Sequence, residues 1–344
     1  MIAWRRRGGD VGDDRSSSRA SLCASRMASS LARPQPIAAL RRVERNRARA
    51  HRSSATCDAR SGSSASASRR AVLVAPALLS ALTRTTLAPD ARASVPASPR
   101  VLVVGSTGAT GRLTVAELAK SGKASAVVAG ARSADKAKKL GLDAVATEVL
   151  GGVDVSKDAA DLEKQFAGFD VVVVCTGFVP GNPLKMNAAA HEVDNLGVKK
   201  VADAAKAAGV KRVVLISSIL TNGPGMGAAD TAGYKITNAF GRVLEEKLEG
   251  ENYLRASGVP WVIVRPAGLK NDEPKASLVL AGEDVMTSGE ISRALVAKVM
   301  AYAAFDDRCE GRVLEIAESG TFVGGDPANA KTFALSSDPA TWFA

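Results

Sequence analysis

Histidine and cysteine are scarce: the 344 residues hold two of the first and four of the second. His51, Cys23 and Cys57 lie in an N-terminal stretch of unusual composition, which leaves His191, Cys175 and Cys309 for the remainder. No CxxC pair and no His/Cys grouping with ligand spacing is present, so neither a metal centre nor a disulfide framework is expected. Lysine is absent from residues 1–93, where 18 arginines face only six acids, a net charge of +12. The rest of the chain has 28 basic and 29 acidic residues. The basic isoelectric point, about 9.7, therefore belongs to the leader, and a nucleic-acid surface on the folded part is excluded. Long apolar runs are missing too. The best candidate, residues 71–82, is too short to span a bilayer as a helix and is interrupted by Pro76.

What the leader does contain is Arg, Ser and Ala without apolar periodicity, the composition of an organelle-targeting transit peptide. Residues 1–68 are read as a plastid transit peptide, expected to be disordered. In residues 69–93, Arg69 and Arg70 precede the short apolar run, and Ala91-Arg92-Ala93 has the small-residue spacing of a signal-peptidase site. This second segment reads as a twin-arginine thylakoid signal. The expected location is the chloroplast, with stroma and thylakoid both open.

From residue 99 onward, Val/Ile-rich runs alternate with Ala/Lys/Glu-rich stretches. VLVVG (101–105), AVVAG (126–130), VVVVCTG (171–177), RVVLISS (212–218) and WVIVRP (261–266) are continuous apolar runs, as strands buried on both faces of a parallel sheet should be. Helices are expected at 111–121, 133–140, 157–167, 187–209, 239–257 and 289–304. The alternation predicts an α/β fold: one doubly wound parallel sheet of Rossmann type over residues 99–323. The tail, 324–344, is expected to pack loosely, and no transmembrane helix is expected in the mature domain.

The first strand ends in Gly105-Ser106-Thr107-Gly108-Ala109-Thr110-Gly111 and opens a helix. In the dinucleotide fingerprint the first glycine permits the tight turn, the second lets the backbone approach a pyrophosphate, and the third lets the helix pack on the strand. Helix N-terminal amides then face the diphosphate. About twenty residues on, where an NAD site presents a carboxylate, the sequence reads AGARSADK. A guanidinium at Arg132 suits a 2′-phosphate, which favours NADP(H) over NAD(H).

From residue 99 to about 320 the chain resembles the atypical short-chain dehydrogenase/reductase proteins, in the NmrA-like NAD(P)-binding branch of chloroplast type. The resemblance rests on GSTGATG (105–111), GVDV (152–155), FDVVVVCTG (169–177), VDNLGVKKVADAAKAAGVKRVVLISS (193–218) and ENYLRASGVPWVIVRPAGL (251–269). It implies Asp154 and Val155 beside the adenine, and Cys175, Thr176 and Gly177 near its ribose. Asn195 is implied to support the lysine and strand ends. Ser217 and Ser218 are implied near the nicotinamide, with Pro266, Ala267 and Gly268 under the carboxamide. The branch holds reductases, cofactor-binding regulators and photosystem-assembly factors on one scaffold.

Active relatives place a Tyr four residues before a Lys on one helix face. The Lys holds the ribose and lowers the Tyr pKa. Here Lys247 matches the lysine, but Val243 stands at the tyrosine position, and valine donates no proton. Tyr234, in a segment read as a loop, is the alternative donor, with Ser218 or water. Lys247 has a second reading, as half of a surface i,i+4 pair with Glu251. Two functions follow: an NADP(H)-binding redox-sensing or assembly protein with weak or no carbonyl reductase activity, whose partners include photosynthetic membrane proteins, or an NADPH-dependent oxidoreductase acting on a small carbonyl or quinone.

Overall fold

The computed structural model describes residues 94–322 and 329–344. The targeting segments expected at 1–68 and 69–93 lie outside these residues.

Seven parallel strands form the centre of a nine-stranded sheet: β1 (Arg100–Val104), β2 (Ala126–Ala131), β3 (Glu148–Gly151), β4 (Val171–Val174), β5 (Arg212–Ile216), β6 (Trp261–Pro266) and β10 (Val313–Glu318). Their order is β3-β2-β1-β4-β5-β6-β10. Beyond β10 lie β8 (Leu278–Ala281), antiparallel to it, and β11 (Ala330–Phe333), antiparallel to β8. The short strands β7 (Gly268–Lys270) and β9 (Glu290–Ser292) make a separate parallel pair. The chain winds outward in one direction through β2 and β3 and in the other from β4. The order therefore reverses between β1 and β4, where open α/β sheets have their binding crevice.

The pleat sends alternate residues of the apolar runs into two layers. Val101, Val103, Val171 and Val173 pack with Val115 and Leu118 of helix α1 (Ala109–Ser121) on one face. Leu102, Val104, Val172 and Val174 pack with Leu162 and Phe166 of α3 (Ala159–Phe166) and with Val198 and Val201 of α5 (Gly197–Ala207) on the other. A strand buried on both faces must be apolar at every position, which is why these runs show no alternation. The remaining helices are α2 (Ala134–Lys139), α4 (Met186–Ala190), α6 (Ala232–Asn238), α7 (Val243–Ala256) and α8 (Arg293–Ala303).

The sequence reading names five of the strands and omits β3, β7, β8, β9, β10 and β11, with β9 taking the start of the helix expected at 289–304, and it differs in further details. The helix expected over 187–209 is α4 and α5 joined through a π-turn, His191–Leu196. Tyr234 lies on α6, not in a loop, because Thr231 caps that helix by accepting from the Tyr234 amide. The C-terminal stretch does not pack loosely: β11 joins the sheet, and Trp342 and Phe343 are buried at 1% and 2% exposure. Burying two aromatics outweighs the Gly/Pro content on which the looser expectation rested. Among the described residues no helix is long and apolar enough to cross a membrane.

Candidate functional site

The crevice is built first from the β1–α1 turn. Gly105 has φ +79, a conformation costly for any residue with a Cβ. A Cβ there would also lie 3.0 Å from the Cys175 carbonyl group and from the Thr176 side chain, so this turn and the exit of β4 meet across the crevice. Ser106 is fully buried and its hydroxyl donates to the Gly130 carbonyl at 2.9 Å, tying the turn to β2. Thr107 is half-buried, while Gly108 and Ala109 are exposed at the opening. Gly108 is the N-cap of α1 and supplies no side-chain cap. Thr110 and Gly111 are buried beneath the turn.

At the end of β2, where the resemblance implies the adenine, the Gly152 amide donates to the Arg132 carbonyl at 3.3 Å and the Val153 amide to the Ala131 carbonyl at 3.0 Å. This lays GVDV along the end of β2. Asp154 accepts from both the amide and the hydroxyl of Ser156, and Val155 is buried. Arg132 is exposed and makes no ion pair with a described residue, Asp135 included.

At the other end, Thr176, Asp194, Ser217 and Lys247 line one recess with Val198, Leu215 and Ile216. Lys247 Nζ donates to Asp194 Oδ1 at 2.8 Å, with the side chains 15% and 3% exposed. The surface pair with Glu251 is therefore overturned. Glu251 is fully buried, accepts from the Ser217 hydroxyl at 2.5 Å, and pairs with Arg265 at 2.7 Å. Asn195 does not reach the lysine. Its Nδ2 donates to Glu246 at 2.7 Å, and Asp194, the residue before it, holds the lysine instead. Cys175 touches the Thr114 hydroxyl at 3.7 Å, and burial pushes its thiol up to about 12. Ser218 is half-buried beside Ser217. Pro266 is buried, and its carbonyl accepts from the Ile219 amide at 3.1 Å.

Tyr234 is not brought to the lysine by any hydrogen bond. Its hydroxyl donates to Glu245 at 3.4 Å and accepts from Asn238 at 3.3 Å. Burial and the Glu245 charge raise its pKa, opposite to the shift a tyrosine beside a lysine would show. Val243 is the first residue of α7 and packs in the core at 9% exposure.

Sequence reasoning missed the acids behind the recess. Arg265 is fully buried with Glu251 and Glu315, both also fully buried, and with Asp284 at 2.7 Å. Burial alone would lower the Arg265 pKa, but the bonds from Glu251 and Asp284 and the Glu315 charge outweigh it and hold the guanidinium ionised. Glu315 also accepts the amides of Asp284, Val285 and Met286. A signal was present: Arg265 in WVIVRP and Glu315 in VLEIAE are charges inside otherwise buried strands, and such charges require partners.

A glycine cradle at a topological switch point, a side-chain-free α1 N-terminus and a lysine–serine recess at the far end together define a nicotinamide-dinucleotide-binding Rossmann protein. The residues fit the group: the turn has no side chain at Gly105 and Gly108, where a Cβ would enter the crevice. The NAD(P)H-binding family model matches residues 105–307, and the chain belongs to this family, as an atypical short-chain dehydrogenase/reductase. An uncharacterised chloroplastic protein of Arabidopsis thaliana is 38% identical over 218 residues, 63% of this chain and 76% of its own length. The chloroplastic protein TIC 62 of Pisum sativum is 33% identical over 220 residues, 59% of this chain, but the match spans only 40% of TIC 62. Among solved structures, one from Bacillus halodurans, proposed to be an NAD-dependent epimerase/dehydratase, superposes with a TM-score of 0.56 at 25% identity, over 65% of this chain and 96% of that one.

Proposed function

We propose that this chain is an NADP(H)-binding protein of the chloroplast that senses redox poise or assists the assembly of photosynthetic membrane complexes, with weak or no carbonyl reductase activity. One observation carries the reading. The α7 position that would present a proton donor is Val243, packed in the core, while the Tyr234 hydroxyl is bonded to Glu245 and Asn238. Bound NADPH supplies a hydride, and carbonyl reduction then needs a proton at the substrate oxygen. The chain's own residues offer the cofactor a cradle (Gly105, Ser106, Thr107, Gly108, Ala109, Thr110 and Gly111), a cation at Arg132 for the 2′-phosphate, and Lys247 for a ribose. They offer no tyrosine four residues before Lys247, and the tyrosine that α7 does carry, Tyr253, donates its hydroxyl to Asp203 at 2.8 Å. Support for the chloroplast comes from the acid-poor leader and from relatives named as chloroplastic. Arg69, Arg70 and Ala91–Ala93 support onward transfer to the thylakoid, which N-terminal sequencing of protein from stromal and thylakoid fractions tests.

A second reading, an NADPH-dependent oxidoreductase acting on a small carbonyl or quinone, is favoured by Lys247 and Ser217 lining one recess. The discriminating measurement is NADPH affinity beside NADPH oxidation against quinones, aldehydes and enones. Tight binding with negligible turnover across the panel supports the first reading. Turnover that survives Tyr234→Phe but not Lys247→Ala supports the second, with water as the proton source.

A further inference from the structure

We propose that Asp194 is the positioning residue for Lys247, fixing its ammonium where the ribose nearest the nicotinamide would lie; this rests on the dinucleotide reading above. Its side chain is 3% exposed and uses both carboxylate oxygens. Oδ1 accepts from Lys247 Nζ at 2.8 Å, and Oδ2 accepts from the Phe178 amide at 3.0 Å. One carboxylate thus joins α7 to the segment leaving β4. A Cβ on Gly177 would stand 3.9 Å from both Asp194 Oδ1 and Lys247 Nζ, so this link lies directly against the exit loop.

The backbone explains how Asp194 reaches the lysine. It sits in the π-turn, His191–Leu196. Neighbouring residues of an α-helix project about 100° apart, following its 3.6 residues per turn. A π-turn inserts an extra residue and shifts that register, and such turns concentrate at functional sites. Here Asp194 and Asn195 both reach α7, taking the consecutive residues Lys247 and Glu246. A lysine otherwise carries about 2 kcal/mol of rotamer entropy, and a buried carboxylate partner fixes it in one geometry. The ammonium has three N–H bonds. Asp194 takes one, leaving donors for ribose hydroxyls.

The test is calorimetric titration of the full chain with NADPH and with adenosine 2′,5′-bisphosphate, which lacks the nicotinamide ribose. Asp194→Asn keeps the shape and an acceptor for the Phe178 amide but removes the charge. It should weaken NADPH about tenfold or more, the range for a charge-assisted bond, and leave the bisphosphate unchanged. Asp194→Glu, which displaces the carboxylate by one methylene, should show the same selective loss. The double variant Asp194→Asn/Lys247→Ala should bind NADPH no more weakly than Lys247→Ala alone. Equal weakening of both ligands, no weakening of either, or additive losses in the double variant would each overturn the proposal. So would failure of both Asp194 variants to fold, which would make Asp194 a folding residue. If the unmodified protein binds neither ligand, it is the dinucleotide reading that fails.

Discussion

Replacing Gly111 with alanine should separate packing from binding in the β1–α1 turn. Gly111 is buried in the first turn of α1. A Cβ there would lie 2.3 Å from the Gly105 carbonyl oxygen and 3.0 Å from Gly105 C and Ser106 Cα. All three neighbours are backbone atoms, so no rotamer change can relieve the contact, and strand and helix must move apart. Overpacking of this kind costs about 1–3 kcal/mol, with a backbone clash at the upper end. The better helix propensity of alanine returns about 1 kcal/mol, leaving a net loss of about 2 kcal/mol. For a domain of this size that lowers Tm by roughly 4–8 °C. Gly108 offers the contrast. Its φ of −72 suits any residue, and an added Cβ meets only the Gly105 carbonyl oxygen at 3.3 Å and the Cys175 carbonyl oxygen at 4.0 Å. Gly108→Val should therefore keep a Tm within about 3 °C of the unmodified protein, since a poor N-cap costs about 1 kcal/mol or less. Its branched side chain would stand where the pyrophosphate approaches, and NADPH binding should be abolished. Scanning calorimetry and titration calorimetry on the two variants read both effects. A Gly111→Ala protein that melts like the unmodified one would refute the packing argument, and a Gly108→Val protein that binds NADPH unchanged would reduce the glycine turn to a structural role.

Arg132→Ala should weaken NADPH about tenfold or more and leave NADH nearly unchanged, because a charge-assisted phosphate contact is worth about 1.5–3 kcal/mol; equal loss for both cofactors in titration calorimetry would remove the NADP(H) preference. Arg265→Met removes the buried cation between two fully buried carboxylates, leaving Glu251 with Arg255 at 3.3 Å and Glu315 with backbone amides alone, and should cost about 3–5 kcal/mol in urea denaturation; a loss below about 1 kcal/mol would show that the cluster relaxes or takes up protons at no cost. Burial holds the Cys175 and Cys309 thiols up to about 12, so in folded protein at pH 8 the peptides carrying them should resist iodoacetamide and become labelled in urea. Since these folded values exceed the unfolded ones, the stability the thiols contribute is fully present below about pH 8.5–9 and is lost as pH rises through about 12. Stability that climbs over that alkaline interval would contradict the burial argument.

The sheet was legible because its chemistry repeats. Strands covered on both faces must be apolar throughout, and VLVVG, VVVVCTG and RVVLISS announced β1, β4 and β5 to within a few residues. The strands β3, β8, β10 and β11 were not legible, and weak burial accounts for only two of them: β8 and β10 are buried throughout, β10 with Glu315 and Glu318 interrupting its apolar run. β3 is partly exposed along its length, with Glu148 open to solvent, and β11 carries Lys331 and Thr332 exposed. The glycine turn was legible because steric exclusion leaves few alternatives at Gly105 and Gly111. The polar half of the recess was not. Whether Asp194 or Asn195 faces Lys247 depends on a one-residue register change inside a continuous helix, and a π-turn leaves no mark in periodicity that a regular helix would not also leave.

The hydrogen bonds around α7 decide which protons remain free for chemistry. The Ser217 hydroxyl has a single proton, and it is directed to Glu251 at 2.5 Å. Glu251 in turn is held by Arg265, so its charge is compensated and it keeps its capacity to accept. The Tyr234 proton is directed to Glu245. Lys247 differs in having three donors, of which Asp194 takes one. Of Ser217, Tyr234 and Lys247, then, only Lys247 keeps an N–H or O–H free while its acidic partner stays in place. A lysine ammonium held by one carboxylate keeps two N–H donors for hydroxyl groups. The arrangement around Lys247 is thus suited to holding hydroxyls, and a hydride transfer at this site would need its proton from Ser218, from water or from the substrate itself.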